Sequence, residues 1–224
     1  APVPVPDRVD VLHVCYPYAD STFVDTTARY VADYRPRLTI IHATVVPKTT
    51  RLVQERICGD VVYSPIRGKH TRMHEDLLQY TKYVAGVTES GTHSARECLS
   101  RAGFSVATMS SCEALELAKL VETTYFGMLL GWAQEVERFC GALGVKYDEV
   151  MAFTEEVPYL PPVVFRPGYI GGHCVMPNAD LLEQVRASPF LDALRESNEI
   201  KRQELIVQGK DLTERIAPYP VKCR

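Results

Sequence analysis

The 224-residue sequence lacks the features that mark several broad classes of protein. It contains no apolar run near the roughly 18 residues that a membrane-spanning helix needs. It also lacks an excess of positive charge, since its formal net charge is -3, whereas a nucleic-acid-binding domain usually carries a basic stripe. We therefore expect neither a membrane nor a nucleic acid as a partner. A few local Arg and Lys side chains would still suffice to bind a small anionic ligand.

The seven cysteines include no CxxC pair, and their number is odd. This pattern argues against a disulfide scaffold and against a zinc ribbon, so no metal site is predicted. Residues 1–6 have neither the basic start nor the apolar core of a signal peptide. The simplest interpretation is a cytoplasmic protein with reduced thiols.

Short apolar runs in the first half predict the strands of an α/β domain. They cover residues 10–16, 38–42, 60–64, 82–87 and 104–108, and helices are predicted at 21–34, 49–57 and 90–102. Strands alternating with helices over short connections are typical of a parallel sheet with right-handed crossovers. The prediction for residues 1–110 is a partial Rossmann-like, mainly parallel α/β domain.

The second half, residues 111–224, is predicted to be helical. Apolar residues recur at three- and four-residue steps over residues 111–143, which indicates one long connecting helix. Shorter helices are predicted at 147–153, 179–186 and 189–212, and the Pro- and Gly-rich stretch 157–172 is predicted to be an ordered, functional loop.

So long a helix exceeds one small domain, which favours a homodimer formed through the 111–143 helix. Gly127 and Gly131 would allow another helix to approach closely. The alternative is that these glycines pack against the C-terminal helices of the same chain.

Five segments together resemble the UDP-glucose/GDP-mannose dehydrogenase family. Residues 42–50 (HATVVPKTT) resemble its STVPPGTT turn, 63–65 (YSP) its YSPE turn, 116–124 (ELAKLVETT) its AExxKLxENT helix start, 166–174 (RPGYIGGHC) its PGPGVGGHC loop, and 194–198 (LRESN) its AREIND helix. Their order and spacing agree over nearly the whole chain. The resemblance implies that the N-terminal Gly-rich dinucleotide half and the C-terminal nucleotide-binding domain are absent, because no G-x-G-x-x-G follows a predicted strand.

The resemblance also implies an activity, the NAD-dependent oxidation of a sugar primary alcohol to a carboxylate. In this family a cysteine traps the aldehyde as a thiohemiacetal and then carries a thioester. Cys174 takes the position of that cysteine. Lys119 takes the position of a lysine that stabilises negative charge on the substrate oxygen. The alternatives are an inert buried thiol and a solvated helix lysine.

Further binding residues follow from the same resemblance. Substrate contacts are implied for Thr123, Arg166, Gly171, Gly172, His173 and Asn178, and cofactor contacts for Pro17, Thr44 and Ser64. Arg166 would pair with a phosphate or be an ordinary surface arginine. Thr44 and Ser64 end consecutive predicted strands, where ligands of parallel sheets bind, or they cap turns. Without the Gly-rich loop, we expect the chain alone to hold NAD poorly.

Three positions depart from the family pattern. Thr123 stands where the family has Asn, Asn178 where it has Asp, and Ile66 where it has Glu. Asn178 cannot act as a base, and the Ile66 side chain cannot form hydrogen bonds. Three hypotheses therefore stay open: a nucleotide-sugar dehydrogenase, a diverged enzyme that uses the cysteine for redox-free chemistry, and a non-catalytic ligand-binding or assembly protein.

The strand predicted at residues 10–16 is expected to have an open edge. In the classical strand order it would neighbour the absent first strand, and an open apolar edge is prone to pairing. We expect it to be covered by the N-terminal prolines (Pro2, Pro4 and Pro6), by another copy of the chain, or by a separate partner.

Overall fold

The computed structural model describes residues 9–19, 22–68, 70–154, 157, 160, 165–172 and 174–212. The chain divides into two compact units, Ala1–Leu120 and Val121–Arg224. The first unit is an α/β structure and the second is helical. No helix in the described ranges is both long enough and apolar enough to cross a membrane.

The first unit is built on a sheet of five strands. They are β1 (Val11–Val14), β2 (Leu38–Ile41), β3 (Asp60–Tyr63), β4 (Lys82–Gly86) and β5 (Val106–Thr108), and they lie side by side in that order. The pairs β1–β2, β2–β3 and β4–β5 are parallel, whereas β3–β4 is antiparallel. The predicted mainly parallel sheet is confirmed. The antiparallel step brings the start of β4 to the end of the sheet where β3 finishes.

Helices cover both faces of this sheet. They are α1 (Thr22–Tyr34), α2 (Thr49–Arg56), α3 (Met73–Gln79) and α4 (Glu89–Arg101), with a short 3-10 turn at His70–Arg72. Phe23 of α1 and Val53 of α2 join the core on one face, and Leu99 of α4 joins the core on the other. Neighbouring residues of β2, Ile40 and Ile41, point to opposite faces, as a pleated strand requires.

Helix α3 was not predicted from the sequence. Its residues, MHEDLLQ, show no apolar stripe, and the buried side chain in this helix is the carboxylate of Asp76. Such a short segment gives too weak a periodic signal to separate it from a loop.

The second unit contains most of the long helix α5 (Cys112–Leu143), which starts in the first unit, together with α6 (Tyr147–Ala152), α7 (Val175–Glu183) and α8 (Pro189–Val207). The prediction of a helix at 179–186 was wrong about its start, because α7 begins directly after Cys174. Pro177 lies in the first turn of α7, where a missing N–H costs nothing. Helix α8 ends before residue 212, and Gly209 follows with φ of 65°, a common helix ending.

The two glycines singled out on α5 pack inside the second unit. A Cβ atom at Gly127 would lie 2.5 Å from Cγ1 of Val175 on α7, and one at Gly131 would lie 3.2 Å from Cδ1 of Leu194 on α8. The glycines therefore let α5 approach α7 and α8 of the same chain, which was the alternative left open above. The homodimer itself stays a prediction.

Strand β1 lies at one edge of the sheet in the part of the chain that the structure describes. The predicted cover from Pro2, Pro4 and Pro6 falls on residues outside the described ranges. What covers this edge stays a prediction.

The glycine packing generates a stability prediction. Gly127→Ala adds a methyl group against Val175, and overpacking of this kind costs about 1–3 kcal/mol. Gly141→Ala is the matched control in the same helix, because its Cβ would meet nothing within 4 Å. That change should stabilise the protein by about 0.5–1 kcal/mol through the higher helix propensity of alanine. Urea unfolding measures both values, and equal stability of the two variants would contradict the packing described here.

Candidate functional site

Three predicted cofactor residues lie beyond the carboxyl ends of the first strands. Pro17 is exposed and follows β1, Thr44 is half-buried and follows β2, and Ser64 is buried and follows β3 directly. Because β2 and β3 are parallel, Thr44 and Ser64 lie at the same end of the sheet. The hydroxyl of Ser64 is buried and has no hydrogen-bond partner among the described residues. Contact of these residues with a cofactor stays a prediction.

A pair of histidines lies at the same end of the sheet. His42 Nδ1 is 2.6 Å from the Ser64 carbonyl oxygen, and His42 Nε2 is 2.9 Å from His13 Nδ1. A carbonyl oxygen can only accept, so Nδ1 of His42 donates to it and Nε2 accepts from His13. Burial and the charge of Lys82 lower the pKa of His42 to about 3, although the hydrogen bond to the Ser64 carbonyl acts in the opposite direction. The inner imidazole is therefore held neutral and in one tautomer.

Lys82 brings a buried ammonium group to this cluster. Its Nζ donates to the carbonyl oxygens of Ser64 and Pro65, both at 2.9 Å. Burial and, to a smaller extent, the charge of Lys119 lower the pKa of Lys82 to about 8, while the Cys15 thiol acts in the opposite direction. The effect of the Lys119 charge on Lys82 indicates that both side chains lie near the same end of the sheet.

The sequence analysis missed the roles of His13, His42 and Lys82. One signal was available, because a lysine opening the otherwise apolar strand KYVAG must find acceptors when the strand is buried. The partners of that lysine lie in the loop directly after β3, far away along the chain, so the bonds could not be foreseen.

Glu116 fixes the start of α5 within the first unit. Its carboxylate is fully buried and accepts hydrogen bonds from the backbone N–H groups of Lys48 and Thr50, at 2.7 and 2.8 Å, and from the Thr50 hydroxyl at 2.6 Å. Burial raises the pKa of Glu116, while these donors lower it. Lys48 has φ of 84° where the resembling turn STVPPGTT has glycine, which explains the preference of that motif. Lys119 follows Glu116 by about one helical turn.

In the second unit, Cys174 occupies the N-cap position of α7 and is exposed. Gly171 and Gly172 precede it and are also exposed, and Gly172 has φ of 85°, a conformation that favours glycine. The predicted substrate contact of His173 falls on a residue outside the described ranges. The loop therefore presents the thiol at the surface of this unit and does not bury it.

Thr123 and Asn178 are brought together by the fold. Nδ2 of Asn178 donates to Oγ1 of Thr123 over 3.1 Å, and the Asn178 backbone N–H donates to the Cys174 carbonyl oxygen over 3.2 Å. Two of the three departures from the family pattern are thus hydrogen-bonded partners one turn from Cys174. The pair is neutral, so it provides no carboxylate at this point.

Arg166 forms an ion pair with Asp148, and its guanidinium lies 5.9 Å from the centre of the Tyr147 ring. A carboxylate therefore already neutralises the charge that was predicted to meet a phosphate. Pairing of Arg166 with a phosphate stays a prediction.

Residues 113–199 match the central domain of the UDP-glucose/GDP-mannose dehydrogenase family. The family resemblance predicted from the sequence is therefore confirmed. The UDP-N-acetyl-D-mannosamine dehydrogenase of Methanococcus maripaludis strain C7 is 22% identical over 203 residues, which cover 88% of this chain and 46% of that protein. The chain spans about half the length of the curated relatives it matches.

Solved structures show the same fold. The UDP-D-ManNAc dehydrogenase of Pyrococcus horikoshii superimposes with a TM-score of 0.75 and 22% identity, over 89% of this chain and 52% of that one. The UDP-glucose dehydrogenase of Pyrobaculum islandicum gives a TM-score of 0.75 and 18% identity over the same shares. The chain thus has the Rossmann-like α/β fold of the nucleotide-sugar dehydrogenases.

The buried histidine generates a prediction about pH. The pKa of His42 is about 3 in the folded protein against 6.5 as the ordinary value, so its contribution to stability is complete above pH 6.5 and is lost as the pH falls toward 3. At roughly 1.4 kcal/mol per pH unit, the loss between pH 6.5 and about pH 5 is about 2 kcal/mol. His42→Gln should remove this pH dependence, as measured by urea unfolding at several pH values.

The control for this experiment is His93→Gln, since the His93 side chain is 71% exposed. That variant should keep the acid sensitivity of the wild type. If the His42→Gln protein loses stability with the same slope below pH 6.5, His42 is not the buried neutral group described here.

Proposed function

We propose that this chain forms the middle part of an NAD-dependent nucleotide-sugar dehydrogenase that oxidises a sugar primary alcohol to a carboxylate, with Cys174 as the nucleophile. The observation that carries the proposal is the exposed thiol of Cys174, placed at the start of α7 by a glycine-rich loop. This thiol lies inside the residues that match the family's central domain. The substrate class, a nucleotide sugar, is inferred from the relatives.

Cys174 would act after the alcohol has become an aldehyde. The thiolate adds to the aldehyde carbon, a carbon–sulfur bond forms, and the carbonyl electrons move to oxygen as the thiohemiacetal takes up a proton. Loss of a hydride and a proton converts this adduct to a thioester. Water then releases the carboxylic acid and restores the thiol. The Lys119 ammonium is proposed to stabilise negative charge on the substrate oxygen.

NAD, when bound, supplies the acceptor for both hydrides. Residues beyond β2 and β3 fit the nicotinamide end of such a ligand, because Thr44 lies there and the Ser64 hydroxyl has no partner among the described residues. The Lys82 ammonium is poorly suited to bind a phosphate, because it already donates hydrogen bonds to two carbonyl oxygens. With no Gly-rich phosphate loop in the sequence, this chain alone is expected to bind NAD weakly.

The neutral Thr123–Asn178 pair favours a second candidate, a diverged enzyme that keeps the cysteine chemistry without the full oxidation. Hydrolysis of a thioester needs a group that takes a proton from water. Neither a threonine hydroxyl nor an asparagine amide can do so at neutral pH. In this candidate Cys174 takes part in hydrolysis or acyl transfer through a thioester that is not formed by oxidation.

A pair of variants tests the proposed function. Cys174→Ser should abolish carboxylate formation from UDP-sugars and NAD, measured as NADH production and by mass spectrometry of the product. Asn178→Asp places a carboxylate where the resemblance implies one, and the Thr123 hydroxyl can turn to donate to it. We expect that change to raise the rate of the carboxylate-forming step about tenfold or more, the scale of a general base.

If the Cys174→Ser variant forms the carboxylate at the wild-type rate, the thiol does not have the proposed role. Thioester formation from an acyl donor without NAD, combined with no NADH production in the wild type or in Asn178→Asp, would support the second candidate. Cys58→Ser is the control, because that thiol is also exposed. Cys58 lies in the first unit, before β3, at the end of the sheet opposite to Ser64.

The homodimer is proposed from the exposed side of α5. Tyr125, Trp132 and Phe139 follow one another at seven-residue steps and are 57%, 61% and 59% exposed. Such a spacing forms one continuous apolar stripe, as in a coiled-coil seam. Trp132→Glu should therefore halve the mass measured by light scattering at micromolar concentration, while Glu122→Gln, an exposed change on the same helix, should not. A monomeric wild-type mass would count against the dimer.

A further inference from the structure

The backbone of Ile170 is held at two points by one side chain. Oδ1 of Asn198, on α8, accepts from the Ile170 N–H over 2.8 Å, and Nδ2 of Asn198 donates to the Ile170 carbonyl oxygen over 3.2 Å. The amide thus supplies the donor and acceptor that a neighbouring strand would supply. Asn198 is 5% exposed and Ile170 is 4% exposed, so little water competes for these bonds.

A second buried amide keeps Asn198 in this orientation. Gln134 is fully buried, and its Nε2 donates to the Gly168 carbonyl oxygen over 2.7 Å and to Oδ1 of Asn198 over 3.2 Å. Its Oε1 accepts from the Ser197 hydroxyl over 2.9 Å. Each amide can satisfy these partners in only one of its two flipped positions. Residues of α5 and α8 therefore hold the loop at Gly168 and Ile170.

The held part of the loop stops just before the proposed nucleophile. Ile170 and Val175 both belong to the buried core of the second unit. Between them lie Gly171 and Gly172, which are exposed, and Cys174, which starts α7. Cys174 thus lies four positions after a backbone that Asn198 holds and one position before a side chain that is buried in the core. The position of the Cys174 thiol is therefore set by where Ile170 and Val175 are fixed.

We infer that Asn198 is the positioning residue for Cys174: it acts through the Ile170 backbone and touches no substrate. This inference rests on the proposed role of Cys174. Side-chain packing anchors Val175, whereas hydrogen bonds to Asn198 anchor the Ile170 backbone. The glycines that follow have no side chains to hold the segment if those bonds are removed.

The experiment compares Asn198→Leu, which removes both bonds, with Asn198→Asp, which keeps the acceptor for the Ile170 N–H and loses the donor. Hydrogen exchange resolved by peptide should become about tenfold faster over residues 165–172 in Asn198→Leu, the scale expected for one lost buried hydrogen bond. Asn198→Asp should lie between this variant and the wild type. The matched control is Glu196→Gln, a carboxylate-to-amide change of the same size at an exposed position of the same helix.

Alkylation of the thiols, read by mass spectrometry, separates positioning from general loosening. In Asn198→Leu, the rate at Cys174 relative to the exposed Cys58 should move roughly threefold or more toward the ratio found in denaturant, where local environment no longer sets thiol reactivity. The buried Cys140 on α5 should stay as protected as in the wild type. A merely structural role would expose Cys140 to the same degree as it changes Cys174.

Two outcomes overturn the inference: an unchanged Cys174 ratio in a folded Asn198→Leu protein, or labelling of Cys140 that rises in step with the change at Cys174. If Asn198→Leu does not fold, the same readouts on Asn198→Asp decide, with a smaller expected shift. Failure of the proposed function is seen separately, as turnover that survives Cys174→Ser, because the labelling rates do not depend on any reaction.

Discussion

The first unit depends on one buried carboxylate. The start of α2 leaves backbone N–H groups without helical partners, and Glu116 of α5 accepts two hydrogen bonds, from the N–H groups of Lys48 and Thr50. This joins the turn after β2 to the first turns of the long helix. The turn includes Lys48 in a left-handed conformation, which a non-glycine residue adopts only where its surroundings hold it there. Because Lys119 follows Glu116 by about one turn of α5, the hydrogen bonds of Glu116 also position Lys119.

Directly after the neighbouring strand β3, the backbone carbonyl of Ser64 is likewise satisfied by side chains from other elements. Its carbonyl oxygen accepts from His42 and from Lys82, so two cationic or potentially cationic side chains are used to satisfy backbone acceptors. Burial is the largest cause of the lowered pKa values of both groups, whereas the hydrogen bond to Ser64 raises that of His42. A site assembled in this way presents a neutral imidazole and an ammonium group that already donates to two backbone carbonyls, beside the proposed cofactor position.

Three neutral amides of the second unit lie near the loop that leads to Cys174. Gln134 and Asn198 satisfy the loop backbone, and Asn178 pairs with Thr123 one turn from Cys174. A neutral network around a thiol stabilises the geometry of the loop but supplies no proton acceptor. The Thr123–Asn178 pair, one turn from Cys174, is therefore held by a neutral hydrogen bond in a chain that has the fold of the nucleotide-sugar dehydrogenases.

The sequence by itself determined the parts that depend on local patterns. The apolar runs of β1, β2 and β3 and the periodicity of α5 identify the α/β and helical halves, and the spacing of five motifs indicates the family resemblance. The short α3 and the start of α7 at Val175 were missed, since short helices give little periodic signal. Both errors concern short segments whose sequence pattern is weak.

Only the tertiary structure decided which polar groups meet. The bonds of Glu116 to Thr50 and of Asn198 to Ile170 join residues that are 66 and 28 positions apart. No pattern along the chain encodes such pairings, because they form only when packing brings two elements together and leaves a buried N–H or C=O that must be satisfied. The sequence thus indicated the family resemblance and the proposed nucleophile, and the fold decided which side chains hold the loop before Cys174.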